Sequence, residues 1–131
     1  MEDNFKFEII TPEKIIYSDN VKMVKVPSYE GDMSILKNHI STISFLRPGI
    51  VKIEKNDGTT ESFFTQDGTV EFFNNNLILL SAFIENVKKL SKEFFDELEK
   101  NVQKKLEEKE ITDQDRYLLN HKLETIKEIR I

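Results

Sequence analysis

His39 and His121 are the two histidines of this 131-residue chain, and each is a candidate general base. A base acts on a nucleophile within hydrogen-bond reach. The chain has no cysteine and no Gly-x-Ser-x-Gly elbow, and its two histidines fall in regions of different texture. His39, in Leu36-Lys37-Asn38-His39-Ile40, reads as a surface or structural residue of a loop-like or short helical stretch. His121 reads as a partly exposed residue beside a helical stripe. Metal chemistry lacks a His-x-x-x-His pair, a Cys/His cluster and an Asp-x-Asp-x-Asp-Gly loop. Nucleotide chemistry lacks a Gly-x-x-x-x-Gly-Lys-Ser/Thr loop, and four scattered glycines cannot cradle a phosphate chain. Two pairs of carboxylates stand out. Asp113 and Asp115 suit the positive end of a helix. Glu30 and Asp32 flank Gly31 in the segment from Val26 to Leu36. There they either meet a basic or amide-rich partner or simply form a solvated turn. Neither catalysis nor a metal or other cofactor is expected.

The elements that position these residues divide the chain in two. All four glycines and all three prolines precede residue 87. The expected boundary separates a β domain, 1–86, from a helical domain, 87–131. Charge divides the same way, with 8 basic and 13 acidic side chains before residue 87 and 11 of each after it. The overall charge of −5 offers no attraction to nucleic acid or an anionic lipid surface. The start Met1-Glu2-Asp3-Asn4 is acidic where a secretory signal is basic. The longest apolar stretch, Leu77 to Ile84 with Ser81 inside it, falls short of the roughly 18–20 residues a membrane crossing needs. A soluble protein without direct membrane insertion is expected.

In the first part, Phe5, Phe7 and Ile9 alternate with polar residues, a strand that Thr11-Pro12 ends. Val21 to Val26 is a further strand, closed by Pro27. Asn56-Asp57-Gly58 joins strands at 50–55 and 62–65, and Asn74-Asn75-Asn76 joins strands at 69–73 and 77–80, as hairpins. The fold class expected is α+β: an N-terminal antiparallel β-sandwich or flattened barrel, followed by an antiparallel two-helix hairpin.

In the second part, Phe95, Leu98, Val102 and Leu106 recur at steps of three and four. Glu110 to Asp113 breaks the pattern, with Thr112 as N-cap. A second stripe follows at Leu119, Leu123 and Ile126, with Ile129 or Arg130 next. Joined by a short turn, the helices lie antiparallel and bury these stripes on each other. Each stripe is one side chain wide per turn, so the seam is narrow. Such a hairpin is either loosely held and able to dock in more than one place, or a permanent cap on the sandwich.

The order of the turns resembles the epsilon subunit of bacterial F-type ATP synthases, the counterpart of the mitochondrial delta subunit. The resemblance rests on Ile10-Thr11-Pro12-Glu13, Val26-Pro27 leading to Glu30-Gly31-Asp32, and Ile35 to His39. It continues through Leu46-Arg47-Pro48-Gly49-Ile50-Val51 and Asp67-Gly68-Thr69-Val70-Glu71, and so covers the whole β part. It implies a non-catalytic rotor subunit of the central stalk, a monomer when isolated, peripheral to the cytoplasmic face of the inner membrane. Its partners would be the gamma subunit and the c ring, with the hairpin reaching the alpha and beta catalytic subunits to inhibit ATP hydrolysis. By motif position, Glu30, Gly31 and Asp32 would face the c ring and His39 the gamma subunit. The hairpin would be bistable, its docked states about 1–3 kcal/mol apart. Lys37-Asn38 stands where the family often has Pro-Gly, and Asp67-Gly68 where it commonly has Gly-Gly. Leu90 to Phe95 lacks the Asp and Arg of the ATP-binding motif found in some members, so ATP binding is not expected. A rival reading, a free-standing sandwich adaptor that binds a peptide or glycan, would dimerise through its hairpin.

Overall fold

The alternating residues near the N-terminus follow their period. In the computed structural model, which describes residues 3–129, strand β1 (Phe5–Ile10) turns Phe5, Phe7 and Ile9 into the interior. The chain continues through β2 (Ile15–Val21), β3 (Met23–Ser28), β4 (Gly31–Leu36), β5 (Thr42–Leu46), β6 (Gly49–Glu54) and β7 (Thr60–Thr65). Strands β8 (Gly68–Phe73), β9 (Asn76–Leu80) and β10 (Ile84–Asn86) follow. A 3-10 turn at Val87–Lys89 then leads to helices α1 (Lys92–Leu106) and α2 (Asp113–Ile129).

The strands hydrogen-bond along one path, β10-β7-β6-β3-β5-β8-β9-β1-β2, with β4 on the other side of β3. Strand β3 is the corner: Met23–Lys25 pair with β6, while Ser28 pairs with Leu46 of β5. The path therefore folds into two layers, β10-β7-β6-β3-β4 and β5-β8-β9-β1-β2. Between them lies a core that includes Phe7, Ile9, Val24, Ile35, Ile53, Phe63, Phe72 and Leu79. Tyr17 of β2 meets Phe63 of β7 across the layers, ring centroids 5.8 Å apart. Among the described residues the ladders are antiparallel except where β1 lies parallel to β9, Lys6–Ile10 beside Asn76–Leu80. A parallel pair needs a long crossover, which everything between β1 and β9 supplies.

Both expected hairpin turns form. Asn74 and Asn75 have φ of 51° and 60°, the left-handed pair that a two-residue hairpin loop needs. Gly58, at φ 84°, donates its N–H to Lys55 O at 3.0 Å. Other local expectations change. The run Val21–Val26 is two strands meeting at Lys22, whose N–H goes to Glu54 O. Ile35 and Leu36 finish β4 rather than beginning a loop or helix, and Asn38, at φ 67°, makes the turn. Pro27 does not close its strand. Its carbonyl accepts from Arg47 N at 3.0 Å, so its missing donor faces the corner where the β6 ladder has ended.

Gly68 has φ 152°, and a Cβ there would stand 2.9 Å from Leu80 O. Both backbone and space exclude a side chain. Gly68→Ala is expected to cost about 2 kcal/mol, seen as a lower denaturation midpoint. An unchanged midpoint would refute this account of the β8–β9 contact.

The helices start where capping chemistry places them. Ser91 Oγ accepts from Phe94 N at 3.1 Å, and Thr112 Oγ1 from Asp115 N at 3.0 Å. Of the stripes, Phe95, Val102 and Ile126 are buried, and Leu98, Leu106, Leu119 and Leu123 half-buried. Ile129 packs into the same junction, while Arg130 lies outside the described residues. The stripes do not bury on each other alone. Phe95 and Ile126 share one cluster with Phe64 of β7, joined by Ile50, Phe83 and Phe94. The hairpin thus packs onto the outer face of the β6–β7 layer. Strand β7 buries Phe63 inward and Phe64 outward, which explains its consecutive apolar residues.

Candidate interaction surfaces

The two outer faces of the sandwich are treated differently. The hairpin covers one. The other is built from outward residues of β5, β8 and β9, and it is bare and largely apolar, with the exposed Glu71 of β8 within it. Ile43 is 69% exposed, Phe45 65%, Phe73 65% and Leu80 51%. Register sets the grouping: Phe45, Thr69 and Leu80 stand in one row, Ile43, Glu71 and Ile78 in the next, and Phe73 beyond them beside Asn76. Their inward neighbours on β5 are Thr42 and Ser44, with the Ser44 hydroxyl 3.0 Å from that of Ser28. In β5, Ile43 and Phe45 face out and the small polar Thr42 and Ser44 face in, with Leu46 buried at the end of the strand. Beside this face runs an open groove of about 1080 Å³ whose walls include Ile10, Pro12, Tyr29, Phe45, Gly68 and Leu80. Monomers rarely leave a contiguous apolar face of this kind uncovered.

The residues singled out from motifs lie at the two ends of β4, with Glu30 on the wall of this groove. Glu30, Gly31 and Asp32 form the β3–β4 turn. The Ser28 hydroxyl accepts from Glu30 N at 3.2 Å, and Gly31 takes φ 125°. Asp32 does not project freely. Arg47 donates to its Oδ1 at 3.1 Å, and Lys25 stands 3.6 Å from its Oδ2. His39 is at the opposite end, half-buried, its ring edge-on to Phe72 at 5.8 Å and its Nδ1 2.7 Å from Ile40 O. The Asn38 and Asn75 side chains tie that turn to the β8–β9 turn: Asn75 Oδ1 accepts from Asn38 N at 2.7 Å. The two sets are therefore separate surfaces, not one site.

His121 is also far from His39 in the fold. It sits on α2 with its ring 4.4 Å from that of Tyr117, and burial followed by the nearby Arg47 charge lowers its pKa. Among the described residues no group of three His, Asp or Glu side chains is placed to hold a metal, and no helix is long and apolar enough to cross a membrane.

No local pattern in the sequence marks the bare face or joins Arg47 to Asp32. Ile43 and Phe45 alternate as core residues would, and a single sequence carries no signal that their strand is turned inside out. Tyr29 and Tyr117 are 88 positions apart, and only folding brings their rings to 6.0 Å.

This geometry has known counterparts. Residues 4–87 match the model of the ATP synthase Delta/Epsilon chain beta-sandwich domain. The ATP synthase epsilon chain of Pelagibacter ubique is 44% identical over 128 residues, covering 97% of this chain and 98% of its own. That of Rhizobium etli strain CFN 42 is 32% identical, covering 85% and 82%. The fold also matches a chain in the Euglena gracilis mitochondrial ATP synthase structure containing OSCP, F1 and c-ring. The TM-score is 0.77 at 15% identity, over 99% of this chain and 81% of that one. A chain in the Tetrahymena thermophila mitochondrial ATP synthase central stalk/c-ring structure gives 0.63 at 16% identity, over 96% of each. With its sandwich matched by the family model and a relative 44% identical along nearly its whole length, the chain belongs to the delta/epsilon family of ATP synthase subunits, among the epsilon chains.

Proposed function

We propose that this chain is a non-catalytic rotor subunit of the central stalk, seated on the gamma subunit through the bare face of Ile43, Phe45, Phe73 and Leu80. That face carries the proposal. A sandwich whose one outer face is covered by its own hairpin, and whose other is apolar and open, is built for a permanent neighbour. The relatives named as epsilon chains, and the structural neighbour from a central stalk, support the choice of that neighbour. The division into a sandwich domain, 1–86, and a hairpin domain, 87–131, belongs to the same reading.

Glu30, Gly31 and Asp32 then face the polar loops of the c ring, with Arg47 and Lys25 fixing the direction of the Asp32 carboxylate. His39, beside exposed Ile40, belongs to the gamma-facing end. The seam of Phe95, Leu98, Val102, Leu106, Leu119, Leu123 and Ile126 is the regulatory part, which restrains ATP hydrolysis when it leaves the sandwich for the alpha and beta subunits. The protein works at the cytoplasmic face of the inner membrane and is a monomer until it assembles.

A tagged chain is expected to retain gamma together with the alpha and beta subunits through purification. Removing residues 87–131 is expected to leave that assembly intact and raise its ATP hydrolysis several-fold. Failure to retain gamma would refute the stalk role, and unchanged hydrolysis would refute the inhibitory one.

A further inference from the structure

Helix α2 is fastened to the sandwich at a second place, away from the apolar junction. Tyr117 donates its hydroxyl to Tyr29 O at 3.0 Å, and the two rings stack at 6.0 Å. One turn along, the His121 ring meets Tyr117 edge-on at 4.4 Å. The next turn brings Thr125, whose hydroxyl donates to His121 O at 2.8 Å and lies 3.4 Å from Pro48 O. Arg47 lies underneath, its side chain 15% exposed and its guanidinium bonded to Asp32 and to Pro48 O. His121, Thr125 and Arg47 line a polar cleft of about 190 Å³ between α2 and strands β3, β4 and β6. We propose that Tyr117 and His121 form a proton-sensitive latch: neutral His121 lets α2 close over Arg47 and the Tyr29 turn, and protonated His121 opens it.

The charges around His121 decide the sign. From the sandwich side, Arg47, Lys25 of β3 and Lys52 of β6 present positive charge, and Asp32 of β4 presents negative charge. From its own helix come Glu124, 3.9 Å away, and Glu128. Glu124 and Asp32 favour the imidazolium, while burial, the larger effect, and Arg47 oppose it; opposition wins, and the pKa falls below the ordinary value. Docked His121 therefore resists protonation, whereas undocked His121 titrates normally, near about 6.5. Above that pH both states are neutral and docking has its full strength. As pH falls through it, the undocked state takes up protons first and docking weakens.

The test uses the isolated full-length chain, so its outcome does not depend on the stalk role. Amide exchange of residues 113–129, corrected for intrinsic rates, is compared at about pH 7.5 and about pH 5.5. Protection is expected to fall several-fold at the lower pH while the sandwich core keeps its own. His121→Gln should abolish the difference, and His39→Gln should preserve it. By NMR, the His121 imidazole should titrate with a midpoint below about 6.5. Equal protection at both pH values, a His121→Gln chain that responds as wild type does, or a midpoint at or above the ordinary value overturns the latch. If the glutamine variant is open at both pH values, the wild-type midpoint decides alone.

Discussion

Phe45→Asp is expected to abolish stable assembly with the stalk while leaving the chain folded. Phe45 is 65% exposed, so its removal takes nothing from the core, and its strand neighbour Leu46 remains buried. Surface changes of this kind alter stability by about 0.5 kcal/mol or less. At an interface the same residue is a large aromatic anchor. Replacing it with a carboxylate removes about 2–4 kcal/mol of contact and adds a charge with no partner across the join. A loss of about 3 kcal/mol corresponds to roughly a hundredfold weaker binding. Ile43→Asp, two residues along the same face, is expected to act in the same direction. Quantitative pull-down of gamma by the tagged variants, with denaturation midpoints alongside, separates binding from folding. A Phe45→Asp chain that folds normally and retains gamma as wild type does would rule out the bare face as the docking surface.

The second large effect is at the junction of helix and sheet. Phe95 is 4% exposed and sits edge-on to Phe64 at 5.9 Å and to Phe94 at 5.4 Å. Phe95→Ala empties that site and is expected to cost about 3–5 kcal/mol. Among the described residues the docked hairpin is seated by one apolar cluster, with the Tyr117–Tyr29 bond and the Thr125 contact at Pro48 beside it. A loss of that size is large for an element seated through one small cluster, so α1 and α2 are expected to leave the sandwich in most molecules. Hydrogen exchange should then show residues 92–129 opening while β1, β8 and β9 stay protected, because the main core contains neither helix. Helices as protected as in wild type would mean that the cluster is not what seats them.

These two sites were unequally legible before folding. Phe95 announces itself, since helical periodicity marks the residues that must be buried somewhere. What periodicity omits is the partner: Phe64 lies on β7, where consecutive apolar residues say only that a strand is buried on both faces. Phe45 is the reverse case. It sits in a segment with strand alternation, and alternation identifies two faces without saying which is inside. Asp32 shows a third limit. Two acids around a glycine mark an exposed turn, yet the guanidinium that holds Asp32 comes from Arg47, on another connection.

The sequence alone determined the class of fold, because strand period, Asn- and Gly-bearing turns and helix caps are local and each is written in neighbouring residues. It also carried the order of turns that places the chain in its family. Tertiary structure alone decided which sandwich face is bare, which is covered, and where α2 is latched. Those outcomes depend on pairings between distant residues, such as Phe45 with Thr69, Phe64 with Phe95 and Tyr29 with Tyr117. Layer-to-layer packing and strand register set them, and neither is a property of any one segment.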